Sequence, residues 1–267
     1  MRDPTRPRTR VALAGLFRTA LAVAMQYRAS FLVESAAAFG GALAVFLPVI
    51  FVYRLAPGVA GWSQAEAMLV TAFFLVLQGL VGLVIEPNFS ALVEGIRNGT
   101  FDFVLLKPVD AQLATSFQRL APARGWDVLA GIGVGVWATA SLPLAPSITA
   151  CVAAAGMLAA GLVGMYGLYL LVVCSSFWFV RVDNLRYLLG AVVDAGRWPV
   201  DVYRGVARVF LTTIIPVALV TSGPAMALAG RLAPAFALQA IAVAAGMLVV
   251  SRWAWVQAVR RYGSAGG

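Results

Sequence analysis

Apolar runs of about twenty residues, the length that crosses a bilayer, recur along the chain, and short segments between them hold most of the charge. They lie at approximately 31–53, 65–85, 126–144, 147–179 and 236–256. One more apolar stretch, 209–230, is interrupted by Pro216 and Pro224. Two arrangements follow for a fifth span. In one, 209–230 crosses the membrane and 181–208 is a loop. In the other, the modestly polar segment 182–198 crosses, and 199–224 dips into the membrane and returns, which is tolerated where protein covers the broken backbone. Both give an even number of crossings. The expected fold is an all-α integral membrane protein of about six transmembrane helices, with one transmembrane domain over 30–256, an N-terminal segment 1–29 and a tail 257–267.

Two amphipathic segments stand out. In 10–29, Leu13, Leu16, Phe17, Ala20, Leu21 and Ala24 share a helical face, with Arg10, Arg18 and Arg28 off it. That pattern predicts a helix lying in the interface ahead of the first span. In 86–97, Phe89, Leu92, Val93 and Ile96 share one face, and Ser90, Glu94 and Arg97 another. Pro87 suits a first helical turn, and Asn98-Gly99 supplies the stop. A short helix on the membrane surface is expected there, its polar face open to water, within a loop spanning 86–124.

Composition supports this reading. The 267 residues are 61% hydrophobic and 12% charged, against roughly half and about a quarter in soluble domains. The net charge of +9 does not indicate nucleic acid, because the basic residues cluster at the ends of apolar runs, as membrane insertion requires. With the N-terminus inside and 209–230 as a span, only Arg54 and Arg231 fall outside. The hairpin arrangement also moves Arg197, Arg204 and Arg208 outward, so charge alone favours the first. Either way the N-terminus, the 86–124 loop and the C-terminus are expected on the cytoplasmic side. The basic start lacks the clean apolar core and cleavage site of a signal peptide, so the N-terminus is expected to be retained.

The chemistry of enzymes is not apparent. There is no histidine, no phosphate loop of the GxxxxGK[ST] type and no GxSxG, HExxH, CxxC or dinucleotide fingerprint. Cys151 and Cys174 lie in apolar runs and read as packed thiols. Gly156, Ala160 and Gly164 form a small-residue stripe suited to close helix packing. The carboxylates Glu34, Glu86, Asp127, Asp183 and Asp194 raise the alternative of an ion- or proton-driven carrier. All but Asp194 sit at span ends, however, and no acid–base pair occurs mid-span.

Three segments carry a resemblance. GIRNGTFDFVLLKPVD at 95–110 resembles the IR.G..D..L.KP signature of type-two ABC transporter permeases. Residues 197–224, RWPVDVYRGVARVFLTTIIPVALVTSGP, resemble the R.P...Y....R......IP.A.....P region of a bacterial six-span branch, and RRYGSAG resembles its RY.SAS ending. The resemblance covers nearly the whole chain. The resemblance implies the membrane subunit of an exporter in the bacterial cell (inner) membrane, paired with two copies of a separate cytoplasmic ATPase that carries the ATP and magnesium. It implies no cofactor on this chain, and a second permease, either a related subunit or another copy. It makes the 86–110 loop the element that couples to the ATPase. Glu94 and Arg97 would then make charge-assisted contacts, and Phe101 and Phe103 would either plug an apolar notch or anchor the loop in lipid. Gly99 ends the helix, and Asp102, Lys107 and Pro108 complete the pattern as loop geometry. The resemblance also favours the extracellular re-entrant hairpin before the last span, with Arg197, Pro199, Tyr203, Arg208, Pro216 and Pro224 in its motif. The transported substrate is not legible, since an apolar lining suits a drug, a lipid or a peptide alike.

Overall fold

The computed structural model describes residues 28–56, 58–107, 110–178 and 183–262. The N-terminal segment with Arg10 and Arg18, Pro108, and the last five residues lie outside the described residues. Arg28 is the first described residue and belongs to helix α1, Arg28–Leu55; the rest of the expected interfacial helix lies outside the described residues.

Helix α2, Gln64–Leu80, begins at a reciprocal cap. Ser63 Oγ accepts from Glu66 N at 3.3 Å, and Glu66 Oε2 accepts from Ser63 N at 2.7 Å, satisfying backbone donors that a helix start leaves unpaired. The chain then runs through a π turn, Val81–Ile85, into α3, Glu86–Arg97, as one apolar helix of 34 residues. The 86–97 segment is therefore not a separate surface helix. The pattern changes from apolar to amphipathic near Glu86, but the helix runs on to Arg97, and Gly99, with a φ of +71°, ends it. Two short helices follow, α4 (Asp102–Leu105) and α5 (Ala111–Ser116).

The remaining elements are α6 (Gly125–Ala140), α7 (Ile148–Cys174), α8 (Asp183–Val193), α9 (Val206–Val209) running into a second π turn at Phe210–Ile214, α10 (Val217–Leu228) and α11 (Pro234–Arg261). Among the described residues four helices are long and apolar enough to cross a bilayer: Leu32–Leu55, Gln64–Arg97, Ile148–Phe177 and Pro234–Arg261. At 16 residues α6 is about 24 Å long, shorter than a typical hydrocarbon core.

Glycines set the helix contacts. A Cβ at Gly131 would lie 2.7 Å from Ala72 O, so α6 packs backbone to backbone on α2. A Cβ at Gly161 would lie 2.7 Å from Val220 N, and one at Gly167 2.9 Å from the Met247 Cβ, which seats α10 and α11 against α7. The close approach on α7 thus runs through Gly161, Gly164 and Gly167 rather than the Gly156–Ala160–Gly164 stripe; Gly156 meets open space. Cys174 is buried, but Cys151 is exposed.

Helix α10 is the interior element, buried at every residue from Val217 to Ala227. The segment before it, Val206–Ile214, meets it at 94°, with the bend at Ile215 and Pro216. Asp201, ahead of this bent pair, accepts from Trp62 Nε1 at 2.9 Å. Arg231, just after it, stacks on the Trp62 ring at 4.8 Å. Both ends of the bent pair therefore meet the α1–α2 turn, while Pro216 faces Gly164 within α7.

Candidate functional site

At the end of the bundle away from Trp62, the chain between α3 and α6 is fastened to three helices, and each fastening has a local cause. Proline at 87 has no N–H, so the Leu83 carbonyl one turn earlier lacks its helical donor; Ala121 N supplies one at 3.0 Å. Asn88, 1% exposed, uses its whole amide. Its Nδ2 donates to Val84 O at 2.6 Å and Arg119 O at 2.7 Å, and its Oδ1 accepts from Gln118 N and Arg119 N, both at 2.7 Å. Pro87 is thus an interior residue of a long helix, tolerated because the π turn and the loop re-satisfy what it leaves open.

Further along, Phe101 is 1% exposed and lies edge-on to Phe177, Trp255 and Tyr262, with centroids 5.7, 6.2 and 5.2 Å away. Those rings come from the end of α7 and the end of α11. Burial, and next the Asp102 carboxylate, push the Tyr262 hydroxyl above its usual range. Asp110 Oδ2 accepts from Arg252 Nη2 of α11 at 2.7 Å, and Gln112 Oε1 from Arg252 Nη1 at 2.8 Å. The Arg252 hydrogen bond holds the Asp110 carboxyl below the usual carboxylate range, although burial opposes it. Gln112 and Ser116 reach the Tyr166 hydroxyl of α7 at 3.1 and 2.8 Å.

Of the residues expected to face a partner, Glu94, Arg97 and Lys107 are exposed and Gly99 turns the chain. The two phenylalanines part company. Phe103 is 69% exposed, and Leu106, Leu113 and Phe117 along the same stretch of chain are exposed as well. Phe101 is turned inward, so it neither plugs a partner nor anchors in lipid; it holds the loop to the helices.

The second motif is likewise spent on closing the chain near the bend. Arg197 pairs with Asp194 at 3.3 Å and lies over Phe74. Pro199 is buried, and Tyr203 donates to Ala195 O at 2.9 Å. Arg208 pairs with Asp201 at 2.9 Å. Pro216 sits at the bend, and Pro224 is buried inside α10.

A family model described as ABC-2 family transporter protein matches residues 39–266. The chain belongs to that family. No curated protein and no solved structure matched it. As an ABC-2 family member the protein is a multi-pass membrane transport subunit, and all three motif segments of this permease fall inside the matched range. Asn88, and the contacts that Arg252 and the rings around Phe101 make with the loop, escaped the sequence reading, which took Arg252, Trp255 and Tyr262 for an interfacial anchor. An Asn one residue after a proline in an otherwise apolar helix was the available signal for the first; the others depend on contacts more than 70 residues apart in the chain.

Proposed function

We propose that this ABC-2 permease is the membrane-spanning half of an ATP-driven exporter, energised by a separate cytoplasmic ATPase that docks on residues 98–117. The observation that carries this is the exposure of four large apolar side chains, Phe103, Leu106, Leu113 and Phe117, on a segment that is itself fastened to three helices. Apolar exposure of this kind marks a protein contact, and the segment's attachments pass a push on the loop into the bundle. Glu94, Arg97 and Lys107, exposed on the neighbouring stretch of chain, add charge-assisted contacts. Two ATPases, each with ATP and magnesium, serve two permeases, this chain pairing with a related subunit or a second copy. Opening and closing of the ATPases switches the pathway between inward- and outward-facing states.

The bent pair Val206–Ile214 and Val217–Leu228 is read as the re-entrant hairpin on the outer side. Its two ends meet Trp62 at one face of the bundle, and its bend lies inside, as expected of a segment that enters and leaves by the same face. The crossing before it is then made by 183–201, which with α6 gives six spans in a cell (inner) membrane and both termini cytoplasmic. A cysteine in place of Arg204, in a chain without Cys151 and Cys174, is labelled from outside if this holds and from inside if 209–230 crosses.

The main test is co-purification. An ATPase with a GxxxxGK[ST] loop is recovered with the wild-type permease and lost when 98–117 is replaced by a glycine–serine linker. Retention of the ATPase by the linker variant sinks the coupling assignment.

A further inference from the structure

Movement of a coupling loop is useful only if it reaches the helices without being absorbed on the way. The long helix Gln64–Arg97 carries a weak point just where absorption would occur. At Val81–Ile85 the ladder widens to a π turn, with Glu86 N bonded to Val81 O, and Pro87 removes one further donor. Such turns are places where helices bend. The chain entering α6 crosses directly over this point. Ala121 N bonds Leu83 O within the turn, whereas Gln118 and Arg119 bond Asn88 beyond it. Asn88 also ties back to Val84 within the turn. One buried amide therefore bridges both sides of the weak point and the approach to α6, with no donor or acceptor left over.

From this we infer that Asn88 is a positioning residue for transport, joining the outer part of α3 and the start of α6 so that they move as one piece. The inference rests on the reading of 98–117 as the coupling loop. Without the amide, the π turn absorbs the displacement: the α3 end moves, and the α6 end stays behind.

The test uses the permease–ATPase complex, with pairs of spin labels at positions 64, 98 and 119, all exposed. Distances are compared without nucleotide and after trapping with Mg-ATP and orthovanadate. In the wild type, the 64–98 and 64–119 distances shift together and the 98–119 distance is unchanged. Asn88→Asp keeps the size of the side chain and both acceptor contacts but loses both donors. It retains the 64–98 shift, loses the 64–119 shift and broadens the 98–119 distribution. Asn88→Ser, which loses the reach to the loop, does the same and carries this arm if Asn88→Asp does not assemble. Wild-type distances in the assembled variants, or equal loss of both shifts with the ATPase still bound, overturn the role of Asn88. Absence of any vanadate shift in the wild-type complex, or absence of the ATPase itself, instead overturns the coupling reading on which it rests.

Discussion

At the loop end of the bundle, the chain is held mainly by buried groups that carry no charge: Phe101 among three rings, and Asn88 with its amide fully used. At the hairpin end, the ties are part-exposed ion pairs around one indole. Arg231 reaches Glu66 at 3.2 Å and covers Trp62, while Trp62 and Arg208 both hold Asp201. Ring packing and buried amide bonds are geometrically demanding and little affected by salt. Exposed pairs are weak and screened, and they exchange partners easily. The first kind suits the proposed coupling end, which would transmit displacement, and the second suits an end that would open and reclose in the proposed cycle.

Phe101→Ala gives the largest break in this contrast. Emptying a caged ring site costs about 3–5 kcal/mol and lowers the melting temperature of the purified permease; an unchanged melting temperature means that the cage is not a fastening. Trp62→Phe comes next. It removes the bond to Asp201 and weakens the stacking of Arg231, for about 1–2 kcal/mol, and raised salt should shrink its effect but leave that of Phe101→Ala unchanged. The Arg252–Asp110 pair, half-exposed on the arginine side, is worth under about 1 kcal/mol. Because Asp110 has its carboxyl pKa lowered by folding, its contribution is complete above the ordinary carboxylate value, about pH 4. It is lost as pH falls through the lowered folded value. An acid titration of stability in wild type and Asp110→Asn should diverge only above that window. Phe103→Ser should leave stability unchanged and lose the ATPase in co-purification, the reverse of the pattern for its neighbour two residues earlier.

Those two phenylalanines show where sequence legibility ends. The spans at 31–53, 65–85 and 236–256 were readable because about twenty apolar residues leave few alternatives, and Gly99 was readable because its backbone angle favours glycine. Nothing local separates Phe101 from Phe103. Their opposite fates are set by Phe177, Trp255 and Tyr262, which the fold alone brings to the loop. The continuity of α2 into α3 was hidden for a similar reason: proline and a change of pattern imitate a helix start, and only the donor from Ala121 makes Pro87 tolerable inside one. For 199–224, charge counting and the motif point opposite ways, and the pairing of Arg197 with Asp194 and of Arg208 with Asp201 could not be read from a count of basic residues.

Helix α10 has a consequence for biogenesis. It is enclosed on all sides, with α2 and α7 as its principal walls, so it has no face to present to lipid. A segment of this kind cannot take its final place as it leaves the ribosome and partitions into the bilayer. It must wait until α2 and α7 stand apart by the width of a helix, then slide between them. Seating of α10 therefore depends on both walls, and a bulky residue where the helices touch backbone to backbone, as in Gly161→Leu, should leave α10 unshielded, a ready target for membrane quality-control proteases.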